Sequence, residues 1–197
     1  MNNTSSAEIL KPIFDFVGVH GWNNASLYAL SQTTDLGLTD FHMLFPNKAE
    51  ILKKFGMMID QEILSQFADN ISDDPHDALF DILMTRFELM APYKKGILAI
   101  YNDTIGHLSV DLIKTLPHIL QSLTWMGSLI PQDNYTAFKK FPTLKLSYLY
   151  FQTTRTWLWD ESDELSLTMV EIDERLKEIE QFSARPSIFS FFTKFFK

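Results

Sequence analysis

The stretch between residues 21 and 48 constrains the fold more than any other part of the chain. It holds two short helical patterns on either side of Gly37. Ser26 can cap the first pattern and Thr39 the second, because a hydroxyl can accept a backbone N–H in the first turn of a helix. Pro46 ends the second pattern, since proline cannot continue a helix. A helix, a glycine turn and a second short helix form a helix-turn-helix arrangement.

Apolar residues recur at helical spacing along the rest of the chain, and no segment alternates with a period of two, so we expect no sheet. The turn-forming segment 70–75, which ends in Pro75, is the clearest linker. Predicted helices outside the first stretch cover about residues 6–20, 48–70, 75–90, 93–103, 110–129, 137–159 and 163–182. The sequence therefore predicts an all-α protein with one domain at residues 1–70, a second at 71–183 and a tail at 184–197.

The composition argues against several classes of protein. The chain has no cysteine, which rules out a disulfide framework and thiolate metal sites. No apolar run approaches the roughly 20 residues of a membrane-spanning helix, and the first residues lack the charged-then-apolar pattern of a signal peptide. We therefore expect a cytoplasmic protein. Its net charge of −8 argues against non-specific attraction to nucleic acid.

The order of short motifs near the amino terminus resembles the helix-turn-helix module of the TetR family. In chain order these motifs are His20-Gly21-Trp22, Ala25-Ser26-Leu27, Leu36-Gly37-Leu38 and Leu44-Phe45-Pro46-Asn47-Lys48. The resemblance implies a TetR-like fold, with a small helix-turn-helix domain, a larger helical domain for ligand binding and dimerisation, and an amphipathic carboxyl-terminal helix. It also implies a homodimer that pairs through the helices predicted at about residues 137–159 and 163–182.

Motifs in the larger domain resemble one branch of this fold, the lipid-binding accessory proteins of ubiquinone biosynthesis. These motifs are Arg86-Phe87-Glu88-Leu89-Met90-Ala91-Pro92, Trp157-Leu158-Trp159-Asp160-Glu161-Ser162 and Asp173-Glu174-Arg175-Leu176. The resemblance implies that the chain binds an apolar ligand or lipid and serves ubiquinone biosynthesis. One motif departs from the branch: residues 137–140 read Ala-Phe-Lys-Lys and lack the tryptophan of the surface that meets the hydroxylase partner.

The alternative function is a ligand-responsive transcriptional repressor of the TetR type. Candidate DNA contacts are Thr39, His42, Met43 and Lys48. Residues 1–60 contain four basic residues against six acidic ones, and the predicted recognition helix contains neither arginine nor lysine. Because phosphate neutralisation supplies most non-specific affinity, this module has a weak electrostatic attraction to DNA. A module that keeps its structure without reading DNA is therefore the competing interpretation.

The larger domain offers a candidate apolar cavity. Methionine and aromatic side chains adapt to apolar ligands, although the same residues also form ordinary protein cores. Candidate lining residues are Leu83, Phe87, Met90, Leu120, Leu123, Met126, Tyr148, Phe151 and Trp157.

The tail has the pattern of a membrane-surface helix. At helical spacing its large apolar residues share one face, while Lys194 and Lys197 share the other. The apolar face consists of Ile188, Phe189, Phe191, Phe192, Phe195 and Phe196. These residues predict peripheral contact with the inner face of an anionic membrane. A helix that docks on its own domain or in the groove of a partner is the alternative.

Sequence patterns of catalysis and metal binding are missing. No two of the five histidines are spaced four residues apart, and no Glu-x-x-His, Gly-x-Ser-x-Gly or phosphate-binding glycine loop occurs. We therefore expect a protein without enzymatic activity, cofactor or bound metal.

Overall fold

The computed structural model describes residues 6–68, 71–105, 109–130 and 142–183, and the described residues contain helices but no strands. The all-α expectation is therefore confirmed. The α-helices are α1 (Ser6–His20), α2 (Leu27–Ser31), α3 (Leu38–Leu44), α4 (Lys48–Phe67), α5 (Pro75–Met90), α6 (Lys94–Ile105), α7 (Val110–Leu129), α8 (Pro142–Trp159) and α9 (Ser166–Ser183). A 3₁₀ helix (Ala91–Tyr93) joins α5 to α6.

The two helix starts predicted in the helix-turn-helix differ in outcome. Ser26 caps α2 as expected, with its hydroxyl accepting the N–H of Ala29 at 3.1 Å. The predicted cap at Thr39 is wrong, because α3 begins directly after Gly37, which occupies the cap position without a side-chain hydrogen bond. The extended backbone of Gly37 brings its carbonyl to the N–H of Phe41 at 2.9 Å. Thr39 therefore lies inside the first turn of α3, where its side chain is exposed.

The chain forms two compact units. The first comprises Met1–Leu64 and Glu88–Ile119, and the second comprises Ser65–Phe87 and Leu120–Lys197. Helix α6 therefore belongs to the same unit as α1 to α3. The domain limits at residues 70 and 183 stay predictions.

The first unit is organised by a close approach of α1 and α6. A Cβ atom added to Gly96 of α6 would lie 2.5 Å from the carbonyl oxygen of Phe14 in α1, so only glycine fits there. Beside this contact, the Phe14 ring centroid lies 4.5 Å from that of Phe55 in α4 and 5.5 Å from that of Tyr93. These contacts pack α1 against both α4 and α6.

The second unit packs α9 against both α5 and α8. Arg175 of α9 donates to Glu171 and Glu178, each at 2.7 Å, and to the Tyr148 hydroxyl of α8 at 3.2 Å. On the other side of α9, Glu180 lies 2.9 Å from Nδ1 of His76 at the start of α5. The core of the unit is apolar, and Leu149, Ile172, Leu176 and Ile179 of α8 and α9 are fully buried.

A turn built on Asp160 joins α8 to α9. Its carboxylate accepts the N–H and hydroxyl of Ser162 at 3.1 and 2.6 Å, and those of Thr168 at 2.8 and 2.7 Å. Because this turn occupies residues 160–165, α9 begins at Ser166, and the start predicted near residue 163 is too early. Burial alone would raise the pKa of Asp160, but these hydrogen bonds outweigh it and lower the pKa from 3.8 to about 2.

The predicted membrane residues, Ile188, Phe189, Phe191, Phe192, Phe195 and Phe196, lie outside the described residues. Peripheral membrane contact through them stays a prediction. Among the described helices, none is long and apolar enough to cross a membrane.

Alanine substitutions at two helical glycines test the close approach of α1 and α6. Gly96→Ala forces the added methyl into the backbone of α1, so we expect a loss of roughly 2–3 kcal/mol in the free energy of unfolding. Gly56→Ala is the matched control, because nothing lies within 4 Å of its added Cβ. Alanine there should stabilise α4 by up to about 1 kcal/mol. Urea unfolding measures the free energy of unfolding of both variants. Equal changes in the two variants would contradict the close packing of α1 on α6.

Replacing the buried carboxylate tests the Asp160 turn. A folded-state pKa near 2, against 3.8 when unfolded, corresponds to about 2 kcal/mol at neutral pH, which Asp160→Asn should remove. Since the folded-state pKa is lowered, the contribution is complete above the unfolded pKa and disappears as the pH falls towards 2. Unfolding measured at pH 7 and pH 3 checks this, with exposed Asp163→Asn as the control. If the wild type exceeds Asp160→Asn in free energy of unfolding by the same amount at pH 3 as at pH 7, the lowered pKa of Asp160 is contradicted.

Candidate ligand site and helix-turn-helix surface

The helix-turn-helix buries one face and exposes the other. Leu30, Phe41 and Phe45 are fully buried, and the rings of the two phenylalanines lie 5.1 Å apart. The exposed face of α3 carries Leu38, Thr39, Asp40, His42 and Met43, with Leu38 at 51% and Met43 at 78% exposure. Predicted contact residues Thr39, His42 and Met43 therefore do share an accessible surface.

This surface carries no lysine or arginine. A shallow depression of about 370 Å³ lies between α2 and α3, lined by Leu27, Leu38, Thr39, Phe41, His42 and Met43. The nearest acidic groups along the chain are Asp35 and Asp40, whose carboxylates repel phosphate. Lysine and arginine, which neutralise phosphate charge, are thus missing from α3 itself.

Lys48, the fourth predicted DNA contact, is held by its own unit. Its ammonium donates to the carbonyl of Trp22 at 2.6 Å and lies 4.5 Å from the centroid of the indole ring. Burial lowers the pKa of Lys48 below its ordinary value, although the carboxylates of Asp111 and Asp103 act in the opposite direction. The lysine thus stabilises the start of α4 through a cation–π contact and a charge-assisted hydrogen bond.

The corner between α1 and α2 is fixed by the end of α6. The carboxylate of Asp103 accepts the backbone N–H of Asn23 at 2.9 Å. Gly21 adopts a φ of +82°, which other residues rarely adopt. The left-handed backbone of Gly21 and the burial of Trp22 give these two residues of the His20-Gly21-Trp22 motif a structural explanation.

The interior of the second unit contains a buried arginine among aromatic rings. Arg86 of α5 is only 5% exposed, and its Nε lies 3.4 Å from the Tyr150 hydroxyl of α8. Its Nη1 lies 3.8 Å from the sulfur of Met126 in α7. The Phe87 ring lies 5.8 Å from that of Tyr150 and 5.5 Å from that of Trp157. Helices α5, α7 and α8 thus bring a cation, a phenol and an apolar wall together.

Thr153 adds a second polar group to the same face of α8. It lies three residues after Tyr150 and four before Trp157, so the three side chains share one side of the helix. Its side chain is 0% exposed, and its hydroxyl has no hydrogen-bond partner in the described part of the chain.

The structure places the predicted lining residues in different environments. Fully buried in the second unit are Leu83, Phe87, Leu123, Met126 and Trp157. Tyr148 is buried towards Arg175 and Glu178, Leu120 is partly exposed, and Phe151 is 37% exposed. Met90 is buried but belongs to the first unit. That these residues bind a ligand stays a prediction.

Comparisons with known proteins address the fold. No protein-family model matches this sequence, and neither does any curated protein sequence. The structure is similar to the crystal structure of the TetR transcriptional regulator from Nitrosomonas europaea ATCC 19718. The TM-score is 0.67 at 15% sequence identity, and the match covers 89% of this chain and 98% of that chain. The chain has a TetR-like fold.

Within the TetR-like fold, the motifs that resemble the ubiquinone branch have structural partners. Asp160 holds the turn between α8 and α9, and Arg175 joins α9 to α8. Packing contacts therefore explain Asp160 and Arg175 of these motifs. The similarity in fold does not show that the chain belongs to the ubiquinone branch. Among the described residues, no group of three histidine, aspartate or glutamate side chains could hold a metal ion.

Sequence reasoning missed three polar residues of the TetR-like fold's larger unit: Arg86, Tyr150 and Thr153. One signal was present, because Tyr150, Thr153 and Trp157 recur at helical spacing on a segment that is apolar nearly all round. Nothing in the sequence placed Arg86 opposite that face, because the contact joins residues 64 positions apart.

Proposed function

We propose that this chain is a TetR-fold protein that binds an apolar ligand or lipid inside its second unit. The observation that carries the proposal is the contact of Arg86 with Tyr150 inside an aromatic and aliphatic interior, together with the buried hydroxyl of Thr153 on the same side of α8. Ligand sites in proteins are mostly apolar, with a few polar groups that fix the orientation of the ligand. The interior of this unit has the same composition.

The state of the helix-turn-helix supports this choice over DNA reading. Its exposed face on α3 carries no lysine or arginine, and Lys48 is engaged by Trp22. Both features lower the attraction to phosphate, on which DNA affinity depends. The module then acts as a structural part of the first unit, tied to α6 by Asp103 and Gly96.

A finer proposal is that the ligand is an isoprenoid lipid and that the protein assists ubiquinone biosynthesis. Its support is the order of the motifs around residues 20–22, 86–92, 157–162 and 173–176.

We also propose that the protein is cytoplasmic and that it contacts the inner face of the membrane through the tail at residues 184–197. Co-sedimentation with anionic liposomes tests that contact, and binding that survives deletion of residues 186–197 would contradict it.

Photoaffinity labelling tests the ligand site directly. A neutral C16 alcohol that carries a diazirine should label α5, α7 and α8, because their side chains enclose the proposed site. Peptides that contain residues 83–87, 123–126 and 150–157 should carry the label, and excess hexadecan-1-ol should suppress it. Labelling that does not saturate, or that falls only on α1 to α4, would contradict the proposal.

A ligand-responsive repressor is the second candidate. It is favoured by the intact helix-turn-helix geometry and by the similarity in fold to a protein described as a TetR transcriptional regulator. In this function Thr39, His42 and Met43 would reach base edges in the major groove, and Lys48 would lie near the backbone.

Fluorescence anisotropy with DNA from the region upstream of the chain's own gene tests the repressor. If it is correct, His42→Ala and Thr39→Ala each weaken binding roughly tenfold, since a lost base contact costs about 1–3 kcal/mol. His118→Ala, a partly exposed histidine of α7, is the control and should leave binding unchanged. Affinity that is insensitive to both α3 variants would exclude direct reading by this helix.

We also propose a homodimer formed through α8 and α9. Both helices expose apolar side chains, with Trp159 at 60%, Leu167 at 58% and Val170 at 57% exposure. The burial of these side chains against a second copy would stabilise the pair, since exposed apolar residues that cluster on one surface commonly mark interfaces.

Charged substitutions on α8 and α9 test the dimer. Trp159→Glu combined with Val170→Asp should convert a dimer into a monomer in sedimentation velocity at micromolar concentration. Met57→Asp is the control, because Met57 is an exposed apolar residue of α4 in the first unit. A wild-type protein that sediments as a monomer would contradict the proposal.

A further inference from the structure

We propose that the surface formed by α2 and α3 binds a basic amphipathic helix of a partner protein. The apolar face of that helix would lie in the depression of about 370 Å³ between α2 and α3, and its lysine or arginine side chains would pair with Asp35 and Asp40. We call this depression and the two carboxylates the α2–α3 surface. The inference goes beyond the ligand site of the second unit, and neither proposal depends on the other.

Two large apolar side chains of the α2–α3 surface take no part in the core of the first unit. Phe41 and Phe45 are fully buried, whereas Leu38 is 51% and Met43 is 78% exposed. Four of the six residues that line the depression are leucine, phenylalanine or methionine. Apolar patches that are rimmed by polar groups often mark sites of protein interaction. Packing within the unit therefore does not explain Leu38 and Met43, but contact with a partner would.

The shape of the depression favours a helix as the bound element. Leu38 and His42 are four residues apart, as are Thr39 and Met43, so these four side chains share one side of α3. Leu27 of α2 lines the depression opposite them. A groove between helices accommodates the apolar face of another helix, whereas an extended peptide gains its affinity at the edge of a sheet. The described residues contain no strand, so they offer no such edge.

The charges of the α2–α3 surface select a basic partner. Residues 26–47 contain Asp35 and Asp40 but no lysine or arginine. Asp40 lies three residues before Met43 and is therefore its neighbour on α3. Asp35 lies three residues before Leu38, so their Cα atoms are within about 11 Å of each other. Both carboxylates are exposed, and neither has an ion-pair partner among the described residues. Lysine or arginine on the partner would supply one, and an acidic partner would be repelled.

The same charges disfavour other occupants of the α2–α3 surface. DNA and anionic membranes both attract cations, and the next cation along the chain, Lys48, already donates to the Trp22 carbonyl at 2.6 Å. In a symmetric contact between two copies of this surface, Asp35 and Asp40 of both copies would repel each other. Met43 can adapt to the side chains of a partner helix, because methionine is unbranched and flexible.

Methyl NMR of the methionines tests where a basic helix binds. Protein that carries carbon-13 in the methyl groups of its eight methionines is titrated with two amphipathic peptides. The peptides share one leucine pattern, and one has lysine and the other glutamate at every polar position. The lysine peptide should shift the Met43 signal until it saturates, and the glutamate peptide should leave it unchanged. Met57 is the internal control, because it is 50% exposed on α4 of the same unit, and its signal should not move.

Serine substitutions at the same two methionines assign the apolar part of the affinity. Met43→Ser should weaken binding of the lysine peptide roughly tenfold, because the contact of a large apolar side chain is lost. Met57→Ser should leave the affinity unchanged. Both positions are exposed, and thermal melting verifies that each variant folds.

Removal of the two carboxylates assigns the charged part of the affinity. Asp35→Asn combined with Asp40→Asn should weaken binding of the lysine peptide roughly threefold, because two surface ion pairs are lost. Asp163→Asn combined with Glu164→Gln is the matched control, since it removes the same formal charge from exposed residues of the second unit. The control should leave the affinity unchanged.

The possible results separate this inference from its alternatives. If the lysine peptide fails to shift the Met43 signal, shifts the Met57 signal equally, or binds no better than the glutamate peptide, the inference is wrong. It is also wrong if both double variants lose the same affinity, because the attraction is then due to net charge alone. A saturable shift of the Met43 signal by DNA from upstream of the chain's own gene, or by anionic liposomes, would replace the partner helix with that ligand. None of these results bears on the ligand site, which is tested by labelling of α5, α7 and α8.

Discussion

The packing of α1 on α6 at Gly96 is the constraint on which the rest of the first unit depends. With no side chain between the two helices, the backbone of α6 lies against the carbonyl of Phe14, and the end of α6 reaches the corner after α1. Asp103 then bonds to Asn23, and Lys48 lies over Trp22. The orientation of the helix-turn-helix therefore depends on a helix that lies far from it in sequence.

The two units differ in the chemistry of the side chains at their candidate sites. In the first, the accessible face of α3 carries Asp40 but no lysine or arginine, and Lys48 donates a hydrogen bond to the carbonyl of Trp22. In the second, polar groups converge inside an apolar interior, where the low dielectric constant strengthens their interactions. The first unit thus combines a helix-turn-helix with an exposed α3 surface that has no lysine or arginine. The second has a closely packed apolar interior that contains Arg86, Tyr150 and Thr153.

Local patterns predicted the helices and the cap at Ser26, because helical spacing and capping depend on neighbours within four residues. The start of α3 was predicted wrongly, because the cap was expected at Thr39 with its hydroxyl. The cap position is instead occupied by Gly37, whose backbone is extended and whose carbonyl accepts the N–H of Phe41. Lys48 looked available to DNA because its partner Trp22 lies 26 positions away. The contact between Arg86 and Tyr150 likewise joins distant parts of the chain, and no local pattern reports such contacts.

Native mass spectrometry of the protein purified from its own host tests the central claim, that the TetR-like fold serves here to bind an apolar ligand. The account predicts a complex that carries one ligand per subunit and releases, on extraction, a compound with a long apolar chain or ring system. Arg86→Met should lower the occupied fraction without changing the helical content. Protein that leaves its host free of ligand, yet binds its own upstream DNA with a steep dependence on salt, would contradict the account.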